Sequence, residues 1–342
     1  QEPRFIEIAE ALSLYKIGEV PVLDVRSEKE FEKGHIPGAI NIPLLNNEHR
    51  HLVGCCYKEQ GQSKAVELGY ALVGPLFPEI QEKALQATSE RRVILHCWRG
   101  GLRSKITAGL LAEVGFEVLM VEGGYKKWRN TWLLELEKIR DIKIVSGLTG
   151  SGKTGLLYAL RDKGQQVIDL EGMAHHRGSA FGGLGLPEQP TQEQFENILC
   201  HALWLMKEGP LYVESESRMI GKMRIPDPFF NQMLLAPRIE VNRTNAFRRE
   251  EILRIYGVFP IEELVEKTSQ LSKRMGSEQT QEAVAALEAG DRVKWLDILL
   301  HYYDKNYVHH HEKIAQQKVN IALQCNDHDE EVVQEILALT WK

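Results

Sequence analysis

The chain has 342 residues, 43% of them apolar and 26% charged, with a formal net charge of −6. That length allows two domains with cores of their own, and the ordinary globular composition excludes a low-complexity or disordered chain. The negative balance argues against a generic nucleic-acid coat but leaves room for a local basic surface, because phosphate binding depends on where charge is placed. No apolar run approaches the length of a membrane span, and the N-terminal residues lack the basic-then-apolar order of a secretory signal. Five cysteines (Cys55, Cys56, Cys97, Cys200 and Cys325) are odd in number and lack C-x-x-C spacing, which suits a reducing cytoplasm better than a disulfide framework.

In chain order, residues 5–17 read as a short amphipathic helix and residues 19–26 as an apolar strand ending in charge. Ser27-Glu28-Lys29-Glu30 has the spacing of a capping box that opens a brief helix, and residues 34–41 form a turn into another strand. Residues 62–87 are mostly helical in pattern. Arg92–His96 is a buried-type strand running straight into Cys97, followed by a helix over about 104–114, a strand at Glu117–Val121, the turn Glu122-Gly123-Gly124 and a connecting helix over 128–139. The strand–helix alternation predicts a parallel sheet and restarts at Asp141, so the domain boundary is expected near residue 140, with domains at 1–139 and 140–342. The second half adds strands at 166–170, 211–214 and 238–241, a Gly-rich, His-containing loop over 171–183 and a helix over 191–207, then turns helical and charged. The fold class is therefore α/β twice over, the second domain ending in a helical extension.

Two stretches carry chemistry. Gly147-Leu148-Thr149-Gly150-Ser151-Gly152-Lys153-Thr154 fits G-x-x-x-x-G-K-[ST] between an apolar strand and a helix-compatible run, the context this motif requires. Its glycines let consecutive amides turn toward one anion, the helix N-terminus adds partial positive charge, and Lys153 adds a full one. Gly147, Gly150, Ser151, Gly152, Lys153 and Thr154 are thus the expected diphosphate site. Thr154 is placed to hold Mg²⁺, aided by Asp169 or Glu214. No dedicated protein metal centre is expected, since His175 and His176 point apart on a regular element and no cysteine or carboxylate completes a set with them.

The second stretch is His96-Cys97-Trp98-Arg99-Gly100-Gly101-Leu102-Arg103-Ser104. A cysteine at the end of a strand, followed by a Gly-rich turn into a helix, sits in a nest of backbone amides. With Arg99 and Arg103 nearby, such a nest favours the thiolate and leaves an anion-sized hollow beside the sulfur. Arg99, Gly100, Gly101, Arg103 and Ser104 are the expected anion loop and Cys97 the catalytic residue. Two chemistries fit this loop: attack of the thiolate on phosphorus, as in cysteine phosphatases, and rhodanese-type transfer, in which the thiolate carries sulfur or selenium.

Asp24-Val25-Arg26, the run Gly34 to Asn41 and the closing Val121-Glu122-Gly123-Gly124 with Trp128 resemble a rhodanese domain, a scaffold also used by one class of cysteine phosphatase. A rhodanese domain joined to a phosphate-loop domain resembles the bacterial tRNA 2-selenouridine synthases, and the likeness covers nearly the whole chain. It is carried by Gly54-Cys55-Cys56-Tyr57-Lys58, Arg99-Gly100-Gly101, Val121 to Lys126, Gly147 to Thr154, Asp169-Leu170-Glu171-Gly172, His176-Arg177-Gly178-Ser179-Ala180-Phe181-Gly182 and Glu216-Ser217-Arg218-Met219-Ile220-Gly221. Cys55 departs from the pattern, which has a small non-cysteine residue there. The resemblance implies that the phosphate-loop domain takes geranyl diphosphate and geranylates the wobble 2-thiouridine of tRNAs for Lys, Glu and Gln. The rhodanese domain then delivers selenium from selenophosphate, with Cys97 carrying it as a selenylsulfide. A selenophosphate-supplying enzyme is an expected partner. Cys56, Asp169, His176, Arg177, Glu214 and Arg218 are accessory candidates. The competing assignment is a cysteine phosphatase fused to a phosphate-loop kinase.

Weaker signals are the helically spaced Arg243, Arg248, Arg249 and Arg254, expected on tRNA phosphates, over the diphosphate or on a solvated face. Tyr302, Tyr303 and Tyr307 are read mainly as core, with base stacking as the alternative. Met173, Phe181, Leu184, Met219, Met223, Phe229 and Phe230 are candidates for a prenyl slot, and His309 to His311 for an exposed helical face.

Overall fold

A computed structural model describes residues 2–314, 320–323 and 327–339. Cys325 and the side chains of His309, His310 and His311 lie outside the described residues. The chain divides into two compact units, the first comprising Gln1–Glu135 with Glu196–Leu205, the second Leu136–Phe195 with Met206–Lys342.

The first unit is built on a parallel sheet with the order β1-β5-β4-β2-β3, the strands being Arg4–Ile6, Val22–Asp24, Ile40–Asn41, Arg92–His96 and Glu117–Val121 for β1 to β5. β4 lies mid-sheet with Val93, Ile94 and Leu95 fully buried, because helices cover both faces, as continuous apolar strands of parallel sheets require. The first strand departs from the sequence reading: the helix begins only at Ile8, and Arg4–Ile6 pairs with β5 as an edge strand. Three residues are too few for periodicity to reveal a strand. The helix Asn47–Gln60 is also absent from the sequence reading; its mean hydropathy is low and no residue of it is buried, so it carries no apolar stripe.

Glu196–Leu205 joins this unit through specific contacts that the local pattern does not signal. Asn197, 2% exposed, donates to His35 O at 3.1 Å and the Tyr125 hydroxyl at 2.7 Å, and accepts from Arg129. His201 stacks on Trp132 at 5.2 Å between ring centres, and Trp132 meets the buried Trp128 edge-on.

The second unit carries a parallel sheet of order β12-β11-β6-β8-β7, with Asp141–Ser146, Gln166–Ile168, Pro210–Glu214, Arg238–Glu240 and Asn320–Ala322 as β6, β7, β8, β11 and β12. A small antiparallel hairpin, β9 (Met219–Ile220) and β10 (Met223–Arg224), follows β8. The chain places β7 and β8 on one side of β6 and then β11 and β12 on the other, so the strand order switches at β6, and ligands bind at the carboxyl end of such a switch point. The helix Asn245–Tyr256 and the long helix Arg292–Ile314 supply Ile252, Trp295, Leu296 and Leu299 to a core that also contains Phe181 and Leu184. Among the described residues, no helix is long and apolar enough to cross a membrane.

Candidate active loops

In the first unit, the ends of β2 and β4 lie side by side, with Asp24 in register with His96. Arg26 is 1% exposed and clamps Asp24 through its Nε at 3.0 Å and a terminal nitrogen at 2.6 Å, while donating to Gly34 O at 2.8 Å and stacking 3.8 Å over the Tyr125 ring. Burial holds His96 below its usual pKa, so it is neutral here and its Nε2 sits 3.8 Å from Asp24. These residues stiffen the floor beneath Cys97.

Cys97 is itself 3% exposed, at the bottom of its loop rather than at the rim. Burial alone would raise its thiol pKa; the Ser104 hydroxyl, the Arg103 guanidinium and the N–H groups of Arg99 and Gly101 together outweigh it and lower it. The amides face the sulfur for a definable reason. Tyr125 N–H donates to Cys97 O at 2.9 Å and Lys126 N–H to Trp98 O at 3.0 Å, so both loop carbonyls point at the helix Gly124–Leu133. In a trans peptide, C=O and N–H point opposite ways, and Arg99 N–H therefore turns inward. Gly124 permits the approach: its φ is +55°, and a Cβ there would lie 2.4 Å from Cys97 O. At Gly100, with φ +70°, a Cβ would lie 2.8 Å from Val121 O.

Arg103 is held by Glu30, at 2.7 and 3.2 Å, and Glu30 also accepts from Ser27 N–H in the expected capping box. The sequence shows the cap but not this second task of Glu30. Arg99 keeps an exposed side chain, as does Trp98. Cys56 lies half-buried on the helix Asn47–Gln60, and Cys55 faces His51 at 3.7 Å; Cys55, Cys56 and Cys97 are free thiols.

The second loop follows β6. Gly147 lies where a Cβ would meet the Ser151 hydroxyl at 2.6 Å, and Gly150 where one would meet Ile252 at 2.7 Å and Arg248 O at 2.9 Å. Lys153 donates to Gly147 O at 3.1 Å, folding its ammonium over the loop, and Ser151 is buried. Thr154 donates to Glu214 at 3.0 Å and reaches Glu171 at 3.4 Å. Glu171, Glu214 and Glu216 bring their carboxylate oxygens within 4.8 Å of one another. Burial and mutual repulsion push Glu171 up to about 10 and Glu216 up to about 8, and burial raises Glu214 as well. Asp169, expected beside Thr154, instead accepts from the Tyr158 hydroxyl at 2.6 Å and from Gly172 N–H. The acidic pair at the end of β8 is visible in the sequence; the arrival of Glu171 from the segment after β7 is not.

His176-Arg177-Gly178-Ser179 wraps this cluster. A Cβ on Gly178, at φ +67°, would lie 3.0 Å from Glu216 and 3.1 Å from Glu171. His176 packs its ring on Gly182, and Arg177 donates to Leu184 O at 2.9 Å. His175 turns away to Glu188 O, so the two histidines diverge as expected. Arg218 pairs with Asp227 and lies 4.7 Å over the Phe230 ring.

Several candidates have other tasks. Phe181, Leu184, Met223, Phe229 and Phe230 are buried core, leaving half-buried Met173 and exposed Met219 from the proposed prenyl slot. Arg243, Arg248, Arg249 and Arg254 pair with Asp329, Asp304, Asp297 and Glu251 respectively, which spends their charge within the protein. Tyr302 and Tyr303 pack on the Trp295 core. The Tyr307 hydroxyl faces Ser146 and Gly147 and is pushed up to about 12 by burial.

Fold and loops together define a class: a rhodanese-like thiol domain joined to a phosphate-loop domain whose motif threonine faces carboxylates. Residues 7–131 match the rhodanese-like family model, and residues 140–339 match that of the tRNA 2-selenouridine synthase AAA domain. Over 341 residues the chain is 35% identical to the tRNA 2-selenouridine synthase of Shewanella piezotolerans, covering 88% of this chain and 91% of the relative. It is 36% identical over 334 residues to that of Marinobacter nauticus, covering 85% and 88%. The match to that of Nitrosomonas europaea, 38% identical over 252 residues, spans 70% of this chain and 64% of the relative. This chain belongs to the tRNA 2-selenouridine synthase family.

Two outcomes follow from the first loop. Alkylation of Cys97 by iodoacetamide should show a midpoint below the ordinary thiol value of about 8.5, the rate falling as pH drops through it, and Ser104→Ala should move that midpoint upward. Gly124→Ala, which forces a Cβ onto Cys97 O, should lower stability by roughly 1–3 kcal/mol in urea unfolding and slow the same alkylation.

Proposed function

We propose that this chain modifies tRNA in two steps, one at each loop, converting wobble 2-thiouridine in tRNAs for Lys, Glu and Gln to 2-selenouridine. The observation that carries the reading is the presence of two separate anion loops in one chain, only one of which contains a nucleophile.

At the phosphate loop, the 2-thio sulfur attacks C1 of geranyl diphosphate. An S–C bond forms, the C1–O bond breaks, N3 of the base loses its proton, and diphosphate departs. Lys153 and the loop amides act on the charge that develops on the leaving diphosphate, the largest electrostatic contribution available here. Thr154, Glu214, Glu171 and Glu216 fit a hard divalent cation: all offer oxygen, and burial, with mutual repulsion, raises the three carboxyls, a cost that a cation among them would relieve. Mg²⁺ bound there would supply further charge neutralisation at the diphosphate.

At the cysteine loop, selenophosphate is held as an anion by Arg103, Arg99 and the loop amides. The net exchange is redox-neutral: the C2–S bond breaks, a C2–Se bond forms, geranylthiol leaves with a proton, and hydrolysis of the Se–P bond gives phosphate. Selenium in selenophosphate is already at the selenide level and C2 accepts it at that level, so the exchange needs no selenylsulfide on Cys97, whose formation demands a two-electron oxidant. The phosphatase–kinase assignment gains no support from the family matches.

The division of labour is testable with purified tRNA and nucleoside mass spectrometry. Cys97→Ala should accumulate the S-geranyl nucleoside and make no selenouridine. Lys153→Ala should lower geranylation at least a hundredfold yet still selenylate tRNA that is already geranylated. Loss of both steps in both variants overturns the two-loop assignment. Mg²⁺ binding should release protons at neutral pH and tighten as pH rises through about 8, where Glu216 ionises; unchanged affinity between pH 6.5 and 8.5 in titration calorimetry removes the carboxyl cluster from the ion.

A further inference from the structure

Arg243 and Arg248 are almost fully buried, at 7% and 2% exposure, which is unusual for the most strongly hydrated class of side chain. Each is neutralised by an aspartate that is itself partly solvated: Asp304 for Arg248, at 2.5 and 3.0 Å, and Asp329 for Arg243. Pairing explains how their charge is tolerated, but not where their remaining donors go. Arg248 Nε donates to Thr149 O at 2.8 Å, and Arg243 Nε reaches Ser151 O at 3.4 Å. Both acceptors are carbonyls of the phosphate loop.

A peptide whose carbonyl is tied down has its amide fixed as well. Among the described residues there are no cis peptides, so the N–H of Gly150 points away from the Thr149 carbonyl, and that of Gly152 away from the Ser151 carbonyl. Arg248 and Arg243 therefore aim the Gly150 and Gly152 amides at the side of the loop opposite the arginines. The intervening amide is already used within the loop, Ser151 N–H donating to Leu148 O at 3.1 Å. The arrangement needs the helix Asn245–Tyr256 pressed against the loop, and the glycine at 150 allows this. The cysteine loop shows the completed form of the same device, with Tyr125 and Lys126 taking carbonyls while amides face the sulfur.

We infer that Arg248 and Arg243 are positioning residues for the anion loop, each fixing one carbonyl so that the Gly150 or Gly152 amide is held ready for a diphosphate oxygen. This rests on the reading of that loop as a diphosphate site. Arg248 makes the shorter bond and carries the larger share.

Inorganic pyrophosphate is the probe, followed on full-length protein by amide resonances of ¹⁵N-glycine. In the wild type, pyrophosphate should move both Gly150 and Gly152. Arg248→Met should abolish the Gly150 response, preserve that of Gly152 and weaken pyrophosphate at least tenfold. Arg243→Met should do the reverse with a smaller loss, about threefold. Asp304→Asn and Asp329→Asn, which keep each guanidinium but remove its anchor, should give the same residue-specific pattern in weaker form and serve if a methionine variant does not fold. A merely structural arginine would not produce a response confined to one glycine. If folded variants retain both responses with affinity within twofold of wild type, or lose both together, the positioning role is overturned while the diphosphate reading stands. If the wild type itself ignores pyrophosphate, the diphosphate reading fails and takes this inference with it.

Discussion

A backbone amide can serve an anion only if the carbonyl of its own peptide is satisfied elsewhere, and both loops of this protein are arranged around that constraint. The trans peptide makes the two demands one: whatever takes the carbonyl chooses the direction of the N–H. At the cysteine loop the takers are main-chain amides at the start of a helix, with Gly124 allowing them within reach. At the phosphate loop they are Lys153 and two buried arginines. The difference matches the chemistry. Main-chain donors are neutral and short, which suits a loop where Arg103 must act on the sulfur across a small distance. Guanidiniums reach farther, which suits a wider loop backed by a helix.

The two loops also treat buried charge in opposite ways. Around Cys97, every contribution other than burial favours the anion, so a deeply placed thiol is nonetheless held below its usual pKa. Around Thr154, carboxyls crowd one another and are driven up, toward protonated states that bring no net charge into the interior. The first is a thiol held toward its anion, as the proposed chemistry requires. The second is a set of crowded oxygen donors that burial drives toward the neutral state, the behaviour expected of the cation site proposed above.

Assignment to the tRNA 2-selenouridine synthases gives both arrangements a common purpose, since the family's name implies selenium chemistry on a nucleic acid rather than phosphate transfer to a small molecule. It also accounts for the His176 to Gly182 run, which no general phosphate-loop logic requires. Gly178 lets that segment lie directly against Glu171 and Glu216, and Gly182 seats the His176 ring, so the run is a wall of the carboxyl cluster rather than a ligand set of its own.

What the sequence determined by itself is everything encoded locally. The phosphate loop, the cysteine loop, the capping box at Ser27 and the alternation of strands with helices depend on residues within a few positions of one another, and spacing alone exposes them. The edge strand Arg4–Ile6 and the helix Asn47–Gln60 escaped because one is too short and the other too exposed to leave a periodic trace. Only the tertiary structure decided which distant groups meet the loops. Glu30 on Arg103, Glu171 beside Glu214, and Arg243 and Arg248 behind the phosphate loop come together across 73, 43, 92 and 99 positions respectively. The same charged residue can face water, cap a helix or hold a carbonyl, and its one-dimensional surroundings are alike in each case. Burial selects among these tasks, and burial is a property of the packed chain.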